Sequence, residues 1–217
     1  DAEVAFDDYS LSLFRNFPQA SMQLDNIRVI NKAPFVGDTL FYAKQINLKM
    51  PLNSLWGDQI QIESFDSEDG LLQIKFTAQG ISNLDIALKD EEEAQKTEDT
   101  SKPLNLAVQR YALINYTLRY IDEASKMRLE LNNLQHEGVG NFEQSILDLD
   151  THTAANVFFE MDGSNYMRNV AITLDAVLGL DLDNSKYTFK ENKALINQLP
   201  LKFNGYLQLQ EAGPFMD

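Results

Sequence analysis

Alternation of apolar and polar residues with period two runs through almost the whole chain, and it restricts the fold more than any other feature. The stretch "LPLKFNGYLQL", residues 199 to 209, is a clear instance. Leu201, Phe203, Gly205, Leu207 and Leu209 would face one side of a strand, and Lys202, Asn204, Tyr206 and Gln208 the other, because successive side chains of a strand point to opposite faces. The same pattern appears at Val4 and Phe6, at Tyr9, Leu11 and Leu13, at Met22 and Leu24, and at Ile27 and Val29. One-residue slips between such runs predict β-bulges. Pro18 interrupts one run because it cannot donate to a ladder, and "NKAPFVGD" reads as a loop.

The pattern continues. Ile46, Leu48 and Met50 alternate up to Pro51, and Ile60 and Ile62 lead into "DSEDG". There Asp69-Gly70 predicts a hairpin turn, from which Leu72, Ile74 and Phe76 return. Tyr116, Leu118 and Tyr120 precede the turn "DEAS", and Met127, Leu129 and Leu131 follow it. Val157, Phe159 and Met161 run into a second hairpin at "DGSN", with Val170, Ile172 and Leu174 beyond. Leu178, Leu180 and Leu182 run to "DNS", then Tyr187 and Phe189. No helical stripe of three turns competes; short helical turns fit Arg15–Phe17 and Asn53–Trp56. The expectation is a mainly β fold with little helix, in curved antiparallel sheets that form an open groove or a sandwich-like half-barrel. Residues 1–88 and 104–217 read as two β modules, parts of the same groove. Between them, residues 89–103 hold six acids, three lysines and no large apolar residue. Such a segment cannot bury a core face and is expected to be a mobile loop.

Strands with one apolar face need a cover, and no long amphipathic helix is available. Three covers remain: a second sheet, closure into a barrel, or a foreign ligand lying in an uncovered trough. Composition narrows the partners. The 217-residue chain carries a formal net charge of -15, which repels phosphate backbones and argues against nucleic acid. It has no cysteine, hence no disulfide, thiolate metal site or cysteine nucleophile. No apolar run approaches the roughly 18 residues of a membrane span. The abrupt ends, Asp1 and "EAGPFMD", read as those of a fragment of something longer.

Chemistry-bearing motifs are scarce. The chain lacks a Gly-x-Ser-x-Gly elbow, a phosphate-binding Gly loop and His-Glu-x-x-His. Among its 33 acids nothing singles out a glycosidase-like pair. His136, in "NLQHEGVGNF", reads as a solvated loop histidine. In "LDLDTH", Asp148, Asp150 and His152 share one strand face, with Leu147 and Leu149 on the other. Those three side chains have metal-ligand chemistry, but an outward polar face needs only such residues, and no metal is expected. Asp181, Asp183 and Ser185 begin like a calcium loop, yet Lys186 and Asn192 stand where its Gly and Glu belong. The expectation is a protein without catalytic residues or cofactors.

The stretch from Ser10 to Phe65 resembles the start of AsmA-family proteins. The features that carry this are the Phe17-Pro18 turn, the strand "SMQLDNIRV", Gly37 to Leu40, the Leu-rich turn before Gly57, and the Ile60-x-Ile62 strand. "GISNLDI" at 80–86 is similar to a Gly-x-x-Asn-x-Asp segment of the family, with Leu84 where an aromatic is usual. "NYTLRYIDEASKMRLELNNLQHEGVGNFEQSILDLDTHT" and "YTFKENKALINQLPLKFNGYLQL" resemble the second half of its bacterial envelope branch. The resemblance implies an apolar β-groove, similar to that of chorein-type bridge-like lipid-transfer proteins. It also implies a periplasmic location, anchored to the inner membrane by a segment absent here. The implied role is non-enzymatic: phospholipid transport or outer-membrane assembly, with phospholipid or another acyl-chain lipid, and other envelope proteins, as partners. Shared parity within strands, taken with this resemblance, selects Ile46, Leu48, Ile60, Ile62, Leu72, Ile74, Phe76, Leu118, Leu129, Ile172, Leu201 and Phe203 as groove-lining residues. The competing expectation is a structural or interaction module of the envelope with a filled β core.

Overall fold

In the computed structural model, residues 2–56, 60–84, 104–105, 108–210 and 213–216 are described. The first half holds β1 (Ala2–Ala5), β2 (Asp8–Asn16), β3 (Gln19–Asn31), β4 (Thr39–Pro51), the short β5 (Ile60–Gln61) and β6 (Ser64–Phe76). After β7 (Leu104–Asn105) come β8 (Arg110–Asp122), β9 (Met127–Val139), β10 (Ile146–Met161), β11 (Ser164–Asp181) and β12 (Lys186–Ile196). β13 (Leu199–Leu201), β14 (Gly205–Gln210) and β15 (Gly213–Met216) end the chain. The only helical element among the described residues is a 3-10 turn, Leu52–Leu55, close to the turn expected at Asn53–Trp56. Arg15 and Asn16, expected in a helical turn, end β2 instead. The acidic segment 89–103 lies outside the described residues.

Thirteen strands form one open, curved sheet in the order β1-β3-β4-β6-β8-β9-β10-β11-β12-β14-β15, with β2 also on β3 and β13 also on β12. The fold is mainly β. The sheet does not close into a barrel among the described residues, and the other sheet there is the two-stranded pair of β5 and β7. Both halves of the chain join this single sheet through β6 and β8, whose pairing is parallel while the other pairs of the main sheet are antiparallel.

Two expected strands are rearranged. Asp69-Gly70 makes no hairpin: β6 runs straight through it, with Asp69 at φ 51°. The 199–209 stretch is not one strand but two, separated at residues 202–204.

Asp69 belongs to a series. Asn26, Asn115, Asn133 and Asn169 also take left-handed φ values between 53° and 56° or, for Asn133, 51°, each in the middle of a strand. Asn and Asp tolerate that region better than other residues with a Cβ. In each strand the apolar face changes parity at this point: Leu24 to Ile27, Ser67 to Gly70, Leu113 to Tyr116, Leu131 to Leu134. Such kinks bend and twist a strand locally. Set side by side in β6, β8 and β9 they make a transverse crease in the sheet. Asp69 ties the crease together. Its carboxylate accepts from Asn115 Nδ2 at 2.6 Å and Lys44 Nζ at 3.2 Å, and these bonds, Asn115 first, hold its pKa below the usual value.

At the crease, Ala43, Ile46, Tyr116, Leu134 and Ala155 are buried, with Leu24, Phe41, Leu118, Leu131 and Ile172 packed around them. Glycines make room for rings. Tyr116 lies over Gly70 and hydrogen-bonds Ser67 Oγ, and Tyr111 lies over Gly138. A second cluster, Leu147, Leu149 and Leu180, sits on the same face toward one end of β10 and β11.

Candidate functional site

Register carries one apolar surface across eight strands. Successive partners run Phe41, Leu72, Leu118, Leu131 and Val157 across β4, β6, β8, β9 and β10. The next row runs Ile74, Tyr120, Leu129, Phe159 and Met167 into β11. Ile172 pairs with Ala155 and Ile196, and Leu201 with Ala194, extending the surface to β12 and β13. Seven strand spacings of about 4.8 Å span roughly 34 Å along the arc from β4 to β13.

This surface is lined but not covered. No Leu, Ile, Val or Phe among the described residues is less than 4% exposed, and most on this face are half-buried. The largest fully buried side chains, Asn31, Asn83 and Ser67, are polar. Two apolar pockets of about 430 Å³ each open on it. One is bounded by Leu129, Val157, Phe159, Ile172, Leu201 and Phe203, among others. The other is bounded by Leu48, Ile62, Phe65, Val108, Tyr111 and Phe142, where the connections flanking β6, β8 and β10 turn inward.

Of the twelve lining residues read from parity, nine share this face of the main sheet: Ile46, Leu48, Leu72, Ile74, Phe76, Leu118, Leu129, Ile172 and Leu201. Ile46 is buried in the crease, and Leu201 is 43% exposed at the far edge. Three depart from the expected position. Ile60 is off the main sheet, because β5 pairs with Leu104–Asn105 of β7 rather than with the long strands. Ile62 lies between β5 and β6, is buried and bounds the second pocket. Phe203 lies in the gap between β13 and β14, its ring 5.0 Å from that of Phe189.

His136 is a correction. It lies within β9, not in a loop, on the apolar face beside Leu113 and Thr153. Its Nε2 is 2.8 Å from Tyr111 Oη and its Nδ1 2.9 Å from Thr153 Oγ1, so both ring nitrogens are satisfied by hydroxyls. Burial depresses its pKa; Glu137 pulls it upward and the charge of His152 downward, and the net shift is below the ordinary value. The neutral imidazole is therefore the folded form near neutrality. Below about pH 6.5 the unfolded chain takes up a proton that the folded chain resists, so stability falls as pH drops through that value and on toward the lower folded pKa. Urea midpoints should decline between pH 7.5 and 5, and His136→Gln should flatten the decline. An unchanged slope in the variant would exclude His136 as its source.

The opposite face is polar and paired across strands. Glu130, 9% exposed, accepts from Arg119 Nε at 2.8 Å and Arg128 Nη2 at 2.6 Å, while Arg119 also donates to Gln73. Burial pushes the Glu130 carboxyl upward, but the two arginines outweigh it and leave the pKa lowered. Asp148, Asp150 and His152 share this face as read, with Leu147 and Leu149 buried behind them. Asp148 pairs with Lys190 and His152 with Asp175, each at 2.5 Å. No group of three or more metal-ligating side chains assembles among the described residues. The "GISNLDI" segment contributes Asn83, whose fully buried amide binds Asn31, the Gln73 carbonyl and the Lys75 amide, locking the end of β3 to β6.

Comparison with family models, with curated proteins and with solved structures finds no match. The functional reading rests on the sequence and on this geometry.

Proposed function

We propose that this chain is a non-enzymatic, AsmA-like lipid-handling module whose uncovered apolar sheet face is a trough for acyl chains. The observation that carries the reading is the continuous apolar face, left half-exposed in a large sheet that does not close. Contiguous apolar patches of that size mark a binding surface in a soluble protein. The two pockets have volumes typical of ligand sites. Each methylene buried contributes about 0.8 kcal/mol, so a long chain gains on the order of 10 kcal/mol before ordering costs. One leaflet's chains span about half of a ~30 Å hydrocarbon core, so an arc of roughly 34 Å seats two in tandem. Leu, Ile, Val and Phe make non-directional contacts that permit sliding. The function that follows is movement of phospholipid, or support of outer-membrane assembly, in the periplasm. The full-length protein would be held at the inner membrane by a segment outside this sequence. The filled-core alternative needs these side chains covered, which their exposure disfavours.

Lipid extraction of the protein purified without detergent, followed by mass spectrometry, tests this. Phospholipid at a defined stoichiometry, displaced by a fluorescent fatty acid, is the expected result. A folded protein that neither carries phospholipid nor takes up the probe would overturn the reading.

A further inference from the structure

The last strands leave a gap in the sheet. β13 pairs with Ala194–Ile196 of β12 and β14 with Lys186–Phe189, so the ladder is broken opposite residues 190–193. Asn192 bridges the break with its side chain: Nδ2 donates to the Phe203 carbonyl, and Oδ1 accepts from the Phe203 amide at 3.1 Å. Phe203 therefore borders two spaces. On one side it bounds the apolar pocket of the trough; on the other it bounds a polar cleft of about 770 Å³.

The cleft's charges are distinctive. Most acid–base neighbours on this face are paired, as Lys190 is with Asp148 and Asp175 with His152. Among the described residues, the side chains of Lys193 and Lys202 have no ion pair or hydrogen bond, nor do those of Asp150 and Glu191, and all four residues line the cleft. Two unpaired cations and two unpaired carboxylates fit a ligand that carries both signs. A bare anion would meet the carboxylates as well as a net charge of -15, and a bare cation would meet the lysines.

We propose that this gap is a side port for one phospholipid with a zwitterionic headgroup of phosphate and primary amine. Its acyl chain lies in the trough beside Phe203. Its phosphate takes Lys193 and Lys202, and its ammonium takes Asp150 and Glu191, through charge-assisted hydrogen bonds. The proposal rests on the trough reading above and adds the headgroup class and the place where the headgroup leaves the apolar face.

Displacement of a bound fluorescent fatty acid by lipids of equal chain length separates the two ideas. Phosphatidylethanolamine is expected to compete about tenfold better than phosphatidic acid or the plain fatty acid, a difference of about 1.4 kcal/mol. The double variant Lys193→Gln/Lys202→Gln should abolish that preference yet leave fatty-acid binding unchanged. Asp150→Asn/Glu191→Gln should abolish the discrimination against phosphatidic acid. Fatty-acid binding with no headgroup preference in the wild type, or a preference that survives both variants, overturns the port and leaves the trough standing. Failure of every lipid, fatty acid included, removes both.

Discussion

Gly70→Ala is expected to lower the unfolding free energy by about 3 kcal/mol, at the upper end of the usual overpacking cost. A Cβ built at Gly70 meets Tyr116 Cζ at 2.1 Å and Cε1 at 2.3 Å. The ring has nowhere to retreat, since Tyr116 is 2% exposed and packs at the centre of the crease with Ala43, Leu134 and Ala155. Pushing it aside also breaks its hydrogen bond to Ser67, a fully buried hydroxyl, at a further cost of about 1 kcal/mol. Gly70 follows Asp69, whose left-handed backbone fixes the approach of the two strands at this point. The measurement is a urea melt of the single variant and of Gly70→Ala combined with Tyr116→Ala. Truncating the ring alone should cost about 3–5 kcal/mol. The double variant should be less destabilised than the sum of the two, because the methyl then enters vacated space. Additive costs would mean that the ring does not rest on Gly70.

The same residues explain what the sequence could and could not reveal. Alternation at Met127-Leu129-Leu131 or Val157-Phe159-Met161 is legible because each strand has one dry face and one wet face. Asp69-Gly70 is not, because a hairpin turn and a mid-strand kink both ask for Asx at positive φ, and the local sequence is the same for either. Leu201 and Phe203 keep phase across a break in the ladder, so alternation alone joins two strands into one. Ile60 and Ile62 alternate like a long strand, yet Ile60 pairs with Leu104, a partner that no local pattern announces. His136 sits in a polar stretch because the apolar face carries a hydroxyl-bonded polar spot there; the partners that satisfy it, Tyr111 and Thr153, are 25 and 17 residues away. Asn31 and Asn83 meet across 52 residues. The cleft at Phe203 is of the same kind. Lys193 and Lys202 look like two ordinary surface lysines until β13 and β14 fold back on β12 and bring them to one side of the gap.

A single carboxylate placed on the apolar face should then separate a trough from a core. Ile74 lies in the row with Tyr120 and Leu129 and is half-buried. Ile74→Asp can turn its charge toward water in an open trough, so the protein should still fold, with a loss of about 1–3 kcal/mol. An acyl chain lying over that row would have to expose two or three methylenes or leave the charge dry. At about 0.8 kcal/mol per methylene, and 1.4 kcal/mol per tenfold, lipid uptake should weaken by roughly tenfold or more. Leu134→Asp is the control. Leu134 is 4% exposed in the crease, so a carboxylate there is buried without a partner and should unfold the domain, whose total stability is expected to be on the order of 5–15 kcal/mol. Circular dichroism with urea, run beside fatty-acid binding, reads both variants. If Ile74→Asp unfolds as completely as Leu134→Asp, the face is a closed core and the trough is wrong. If Ile74→Asp stays folded and binds lipid as the wild type does, chains do not run over β6, and the lipid path is confined to the pocket between β9 and β13.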